Sequence, residues 1–201
     1  MSEIRIYVEG GGDKDSKARM RQAFSQFLSE SRSAARQQRV QWSVILCGSR
    51  DDTFRAFERD QKLFPDAHLF LLVDAEEEVT APPREHLMAR DPWDLSFAGD
   101  EQCHLMAQVM ESWFFADPDA LARFYGRQFG AKQIPARKNV EEVPKAEVEA
   151  VLKSATTRTQ KGEYHKIRHG APILESLDPR RVRARAPHCE RLFETLAEAL
   201  G

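Results

Sequence analysis

Cysteine is scarce: three residues, Cys47, Cys103 and Cys189, stand far apart and form no CxxC pair. That argues against a disulfide framework or a cysteine-based zinc site and makes a reducing cytoplasm the expected compartment. Long apolar runs are also missing. The longest, LFLLV at 69–73, is strand length, well short of the ~20 residues a membrane helix needs, so no membrane role is expected. The N-terminus lacks the charged-then-apolar pattern of a secretory signal. GGGDKDSK at 10–17 matches neither GxGxxG nor GxxxxGK[ST], which excludes the dinucleotide fingerprint and the P-loop. Ser112 has no GxSxG setting, and there is no zinc finger, RRM signature or aromatic-basic interleaving for base stacking.

What is present is ordinary in bulk and uneven in detail. The chain has 201 residues, 41% apolar and 31% charged, which fits a folded protein of one domain or one domain with an appendage. Net charge is −2, yet residues 131–201 hold 14 Lys and Arg against 10 Asp and Glu, leaving 16 against 22 in the first 130. An acidic front and a basic tail fit a metal site facing a polyanion-binding surface; unevenly distributed solvated charge is the plainer alternative.

IRIYV at 4–8 alternates as a strand does. Met20, Phe24, Phe27 and Leu28 recur at helical spacing, so 16–36 reads as one amphipathic helix capped by Asp15 or Ser16. RVQWSVILC at 39–47 is a second strand, and Ser49 with Asp52 forms a capping-box signature for a helix to about Leu63. HLFLLVD at 68–74 is a continuous apolar run of the kind found in central strands of parallel sheets. A short helix follows the prolines within 81–94. The first half of 103–117 is taken as a fourth strand, and Asp117-Pro118 starts a helix. Residues 126–143 read as loop, with a helix from Pro144 and basic helices beyond. The β-α-β-α-β order implies a doubly wound α/β fold with a parallel sheet flanked by helices. The expected division is an α/β domain over 1–125 and a helical, basic C-terminal extension over 126–201 packed on it.

Ligands of open parallel sheets gather at the carboxyl ends of the strands. Glu9 ends the first strand, Asp74 ends the third with Glu76 two residues on, and Glu111 and Asp117 lie at or beyond the fourth. Carboxylates crowded together raise one another's pKa, and a cation between them relieves this. Oxygen ligands without His or Cys suit Mg2+ or Mn2+, which points to phosphoryl or phosphodiester transfer. Gly10, Gly11 and Gly12 clear side chains from beside Glu9, so that a phosphate could approach the backbone near the start of the following helix. Asp13 and Asp15 are helix caps or outer ligands, with capping the expectation for Asp15. Glu111, between Met110 and Trp113, is either a buried functional acid or an outward-facing strand residue.

In the tail, Lys161, Tyr164, Lys166, Arg168 and His169 lie within nine residues. If 162–172 is helical, Lys161, His165 and Arg168 share one stripe while Lys166 and His169 share another. Lys and Arg there could hold phosphates, and His169 could carry a proton. A solvated or structural role is the alternative for each. DPRRVRARAP at 178–187 is either a nucleic-acid or partner contact or a surface ion-pair network. Trp42, Trp113, Phe114 and Phe115 are expected in the core, and Cys103-His104 in packing.

A strand ending in Val-Glu-Gly, then a helix, then a hydrophobic strand ending in an acid-x-acid pair resembles the Toprim domain of topoisomerases, primases, small ribonucleases and OLD-family nucleases. IRIYVEGGGDKD resembles its first motif, with Glu9 at the glutamate position. FLLVDAEE resembles its DxD motif, with Asp74 first and Glu76 in place of the second Asp. More narrowly, VEGGGDKD, MESWFFAD and KGEYHKIRHG…PHCERLF resemble an uncharacterised bacterial family grouped with Toprim-like proteins. Its members are often encoded beside an AAA or OLD-like ATPase, in contexts suggesting defence against mobile elements.

The resemblance implies a Toprim-like nuclease domain that cleaves nucleic-acid phosphodiesters with Mg2+ or Mn2+. Glu9, Asp74 and Glu76 would hold metal, with Glu9 doubling as general acid or base. Glu111 would be a further ligand or orienting acid, Lys166 would join the catalytic set, and Gly10, Gly11, Lys161, Arg168 and His169 would contact substrate. Two rivals stand beside it: a non-catalytic or conditionally active partner subunit of an AAA/OLD-like ATPase, and an enzyme acting on free nucleotides or another phosphoester.

Overall fold

The computed structural model describes residues 3–201. Strands β1 (Glu3–Glu9), β2 (Gln41–Gly48), β3 (His68–Asp74) and β4 (Cys103–Met106) are all parallel, in the order β2-β1-β3-β4. Nine helices accompany them among the described residues: α1 (Lys14–Phe27), α2 (Ser29–Gln37), α3 (Arg50–Leu63), α4 (Pro83–Arg90), α5 (Pro118–Tyr125), α6 (Lys145–Thr156), α7 (Lys166–Ser176), α8 (Pro179–Arg183) and α9 (Pro187–Glu198), with short 3-10 turns between. The architecture is α/β, a parallel sheet flanked by helices, consistent with a Rossmann-like fold. None of these helices is long and apolar enough to cross a membrane.

The sheet is covered on both faces because its strands are apolar on both. In β3, Phe70 and Leu72 face one cluster and Leu69, Leu71 and Val73 face the other. The larger cluster holds Phe24, Phe27 and Leu28 against Ile4, Ile6 and Val8, and Phe27 stacks on Trp113 at 5.4 Å. It continues through Val148 and Leu152 of α6 to Leu192 and Leu196 of α9, so residues beyond 125 close the same core as the strands. The smaller cluster joins Tyr7 to Phe57 of α3 and Leu87 of α4. Burying each such side chain contributes about 1.5–3 kcal/mol.

Three local expectations need correction. The helix predicted over 16–36 breaks at Leu28, which is fully buried and closes α1 through its N–H to the Phe24 carbonyl. Its cap is Asp13 rather than Asp15 or Ser16: the Asp13 carboxylate accepts the Ser16 N–H at 2.8 Å, which satisfies an otherwise orphaned donor. Strand β2 starts at Gln41 rather than 39, because Arg39 takes a left-handed φ of 59° that ends α2. The Ser49–Asp52 capping box forms as read and starts α3.

Candidate functional site

The strand order places the switch point between β1 and β3. The chain leaves β1 to build β2 on one side and leaves β3 to build β4 on the other, and right-handed crossovers then put their helices on opposite faces. The crevice this opens at the carboxyl ends is where open α/β sheets bind ligands. Glu9 and Asp74 are the last residues of the two strands flanking it. A register shift between Val8 and Glu9 pairs Glu9 with Gly48, which re-aims the strand end.

Asp74 is 4% exposed. Its Oδ1 accepts the Met110 N–H at 2.8 Å and its Oδ2 lies 3.4 Å from Lys166 Nζ. Burial raises its pKa, and the neighbouring carboxylates of Glu111 and Glu9 add to this, against the ammonium of Lys166. Glu9 is raised for the same first reason, burial, with Glu76 adding and Arg50 opposing. Glu111 sits in the 3-10 turn Met110–Ala116, so it is a buried acid and not a strand residue. Its Oε1 accepts the Tyr164 hydroxyl at 2.8 Å and lies 3.5 Å from Lys166 Nζ, while its Oε2 is buried without any partner. Lys166 itself is held protonated: burial pulls its pKa down, but Asp74 and Glu111 outweigh it.

Glu76 stands on the rim. It takes a left-handed φ of 70°, held by its N–H to the Gln108 carbonyl at 2.7 Å, and its carboxylate is paired with Lys145 at the start of α6. Such a conformation in a non-glycine residue persists only where the surroundings enforce it. Gln108 also accepts the Lys145 N–H at 3.0 Å, so one side chain and its carbonyl brace both partners.

Beside these acids lies a cavity of about 50 Å³, with Glu9, Gly11, Asp74 and Lys166 on its polar side and Met20 and Met110 on its apolar side. That is room for an ion and a water or two. Gly11 leaves its wall bare, since a Cβ there would meet nothing within 4 Å. Gly12, with φ of 107°, makes the turn into α1 that few other residues tolerate.

Gly10 lines the same cavity, whereas Lys161, Arg168 and His169 do not. Helix α7 begins at Lys166 and not 162, because the Tyr164 N–H bonds the Thr156 hydroxyl at 2.7 Å, so the stripe of Lys161, His165 and Arg168 does not form. Lys161 lies over the Phe124 ring at 4.7 Å, and Arg168 is exposed. His169 is buried; its Nδ1 accepts the His165 N–H at 3.2 Å and faces the Tyr125 hydroxyl at 3.0 Å. Burial first, then Arg168, His165 and Lys161, lower its pKa. Asp117 caps α5 and binds Arg181. Of the tail arginines, Arg183 pairs with Glu190 and Arg185 donates to the Phe115 carbonyl, while Arg180 is 85% exposed.

One residue at the edge was not anticipated. Arg50, first in α3, holds Asp91 with two bonds of 2.9 and 2.8 Å and donates to both Glu9 Oε2, at 3.2 Å, and the Asp74 carbonyl. The available signal was its position just past the end of β2, on the same edge as the acids.

The family model for a domain of unknown function, DUF4276, matches residues 8–197, nearly the whole chain and every residue of this cluster. The chain belongs to that family. No curated protein and no solved structure matches it.

A hard divalent cation fits the donor set. The ligating atoms on offer are carboxylate oxygens, Glu111 Oε2 lacks a partner, and both strand-end acids are raised first by burial and then by neighbouring carboxylates, which a cation would offset. Among the described residues no group of three His, Cys, Asp or Glu side chains is arranged to hold a metal. Mg2+ does not need such a cage: it takes one or two carboxylates and completes its shell with water and substrate oxygens.

Proposed function

We propose that this chain is a Toprim-like, Mg2+- or Mn2+-dependent hydrolase of nucleic-acid phosphodiesters. The observation that carries the reading is the pairing of Glu9 and Asp74 at the switch point, each with a raised pKa, beside a cavity whose other polar wall is Lys166. Glu9 and Asp74 would hold the metal, with Glu111 behind Asp74. The metal would supply Lewis-acid stabilisation of the attacking and leaving oxygens. The chain's own residues orient and neutralise. Arg50 fixes Glu9 and the end of β3. Tyr164 fixes Glu111. Lys166 faces the cavity with its side chain 57% exposed, where it can meet a phosphate.

One observation favours a conditional form of this reading, in which an ATPase partner completes the site. Glu76 is engaged by Lys145, and Lys166 stands between Asp74 and Glu111, so the acids are partly neutralised from within. The experiment is cleavage of single-stranded DNA, duplex DNA, RNA and free nucleotides with Mn2+, for wild type, Glu9→Gln and Asp74→Asn. Cleavage of a polymer that both variants abolish supports the reading. Cleavage that both variants retain sinks it. Turnover of nucleotides alone transfers the same site to a smaller substrate.

A further inference from the structure

Lys166 is placed where a cation is poorly suited. It is the first residue of α7, and the N-terminus of a helix carries partial positive charge. The first turn of α7 has no acidic residue, and its start has no side-chain cap. The ammonium is held there by Asp74 at 3.4 Å and Glu111 at 3.5 Å, both longer than the ~2.8 Å of a strong charge-assisted bond. Its side chain is 57% exposed, against 14% for Arg50, which has two short bonds to Asp91. The carboxylates it faces are not satisfied by it: Glu111 Oε2 has no partner at all. A side chain 57% exposed along its length, meeting two buried acids at 3.4 and 3.5 Å while Glu111 Oε2 goes unpartnered, is placed to be exchanged for a better-fitting cation.

We propose that Lys166 is an internal placeholder cation, holding Asp74 and Glu111 until a divalent cation displaces it, and that displacement frees its ammonium to bind an anionic ligand in the adjoining cavity. The inference rests on the metal site proposed above. It makes anion binding conditional on metal, because the same ammonium cannot neutralise the acids and a phosphate together.

The test is calorimetric titration of Mn2+ into wild type, Lys166→Met and Lys166→Arg, each checked for fold by circular dichroism. Removing the competing charge should tighten Mn2+ binding about tenfold or more in Lys166→Met, while Lys166→Arg stays near wild type. Metal-free Lys166→Met should melt lower than wild type, and Mn2+ should raise its melting point more. Equal or weaker binding by Lys166→Met overturns the placeholder role while leaving the metal site standing. No binding by any of the three overturns both. Binding by Lys166→Met alone supports the placeholder and shows that it blocks the isolated chain. Should Lys166→Met fail to fold, the wild type decides. Its Lys166 Nζ resonance, assigned by its absence in Lys166→Arg, should lose protection from solvent exchange on adding Mg2+, and an unchanged signal overturns the proposal.

Discussion

Asp60 and Asp74 are buried to nearly the same degree, 2% and 4% exposed, and fall on opposite sides of the ordinary carboxylate range. The difference lies in their partners. Asp60 accepts the Tyr7 hydroxyl at 2.6 Å, Arg59 Nε at 2.7 Å and Arg5 Nη2 at 3.3 Å. Burial pushes its pKa up, but the bonds from Arg59 and Tyr7 outweigh that. Asp117 and Glu141 are provided for in the same way, the first by Arg181 and the Asp178 N–H, the second by the His188 ring and N–H. Asp74, at the end of β3, has one backbone donor and the Lys166 ammonium at 3.4 Å, and Glu111 has an oxygen without a partner. The same chain surrounds Asp60, Asp117 and Glu141 with close donors and leaves Glu111 Oε2 with none, a contrast that the proposed metal site would account for.

The largest effect expected from this contrast is at Asp60. Asp60→Ala leaves the buried Tyr7 hydroxyl without its acceptor and takes one of three partners from the part-buried Arg5, and urea denaturation should show a loss of about 3 kcal/mol. A loss below about 1 kcal/mol would mean that the network is ornamental and would remove one side of the comparison. The pH dependence follows from the lowered pKa. Stability from Asp60 is present above the unfolded value of ~3.9 and is lost as pH falls through the folded value. Asp60→Asn should flatten that acid limb.

Asp74→Asn should behave oppositely, and its effect should be smaller. The amide oxygen can still accept the Met110 N–H, and the charge that burial disfavours is gone. Stability at pH 7 should stay level or rise by about 1 kcal/mol, while Mn2+ binding disappears. The sign with pH also reverses. A raised pKa favours the protonated folded form, so wild type loses stability as pH climbs from ~3.9 toward the folded value of Asp74, and the variant lacks that decline. A loss above about 2 kcal/mol would place Asp74 with Asp60 as a structural acid.

How much of this was legible depended on how local each determinant is. The strands and the acids ending them were readable because alternation, a continuous apolar run and a terminal carboxylate are all set within a few residues of one another. Glu111 was ambiguous: MESWFFA is apolar enough for a strand, and only the burial of all seven residues in a 3-10 turn decides its conformation. Arg50 was missed because its role requires Glu9, Asp91 and the Asp74 carbonyl to meet across three connections. The stripe drawn through Lys161 and Arg168 failed for a similar reason, since a bond to Thr156 keeps Tyr164 out of the helix. The role proposed for Lys166 rests on its contacts at 3.4 and 3.5 Å to Asp74 and Glu111, which no spacing rule records.

The smallest stability effect is expected at Gly11, and it isolates the strand-end region from the fold. A methyl group added there meets nothing within 4 Å and requires no left-handed backbone, so Gly11→Ala should change stability by no more than about 0.5 kcal/mol in either direction. Gly11 nonetheless lines the cavity that Glu9, Asp74 and Lys166 share. If that cavity receives a phosphate, Gly11→Ala should leave Mn2+ binding intact and weaken binding of inorganic phosphate measured with Mg2+ present. Unaltered phosphate binding would remove the cavity from the ligand's path and leave the acids as a metal site reached from elsewhere. A stability loss above 1 kcal/mol, roughly twice what an exposed position gives, would show that the loop is shaped for folding, which would narrow the difference between the two sets of acids.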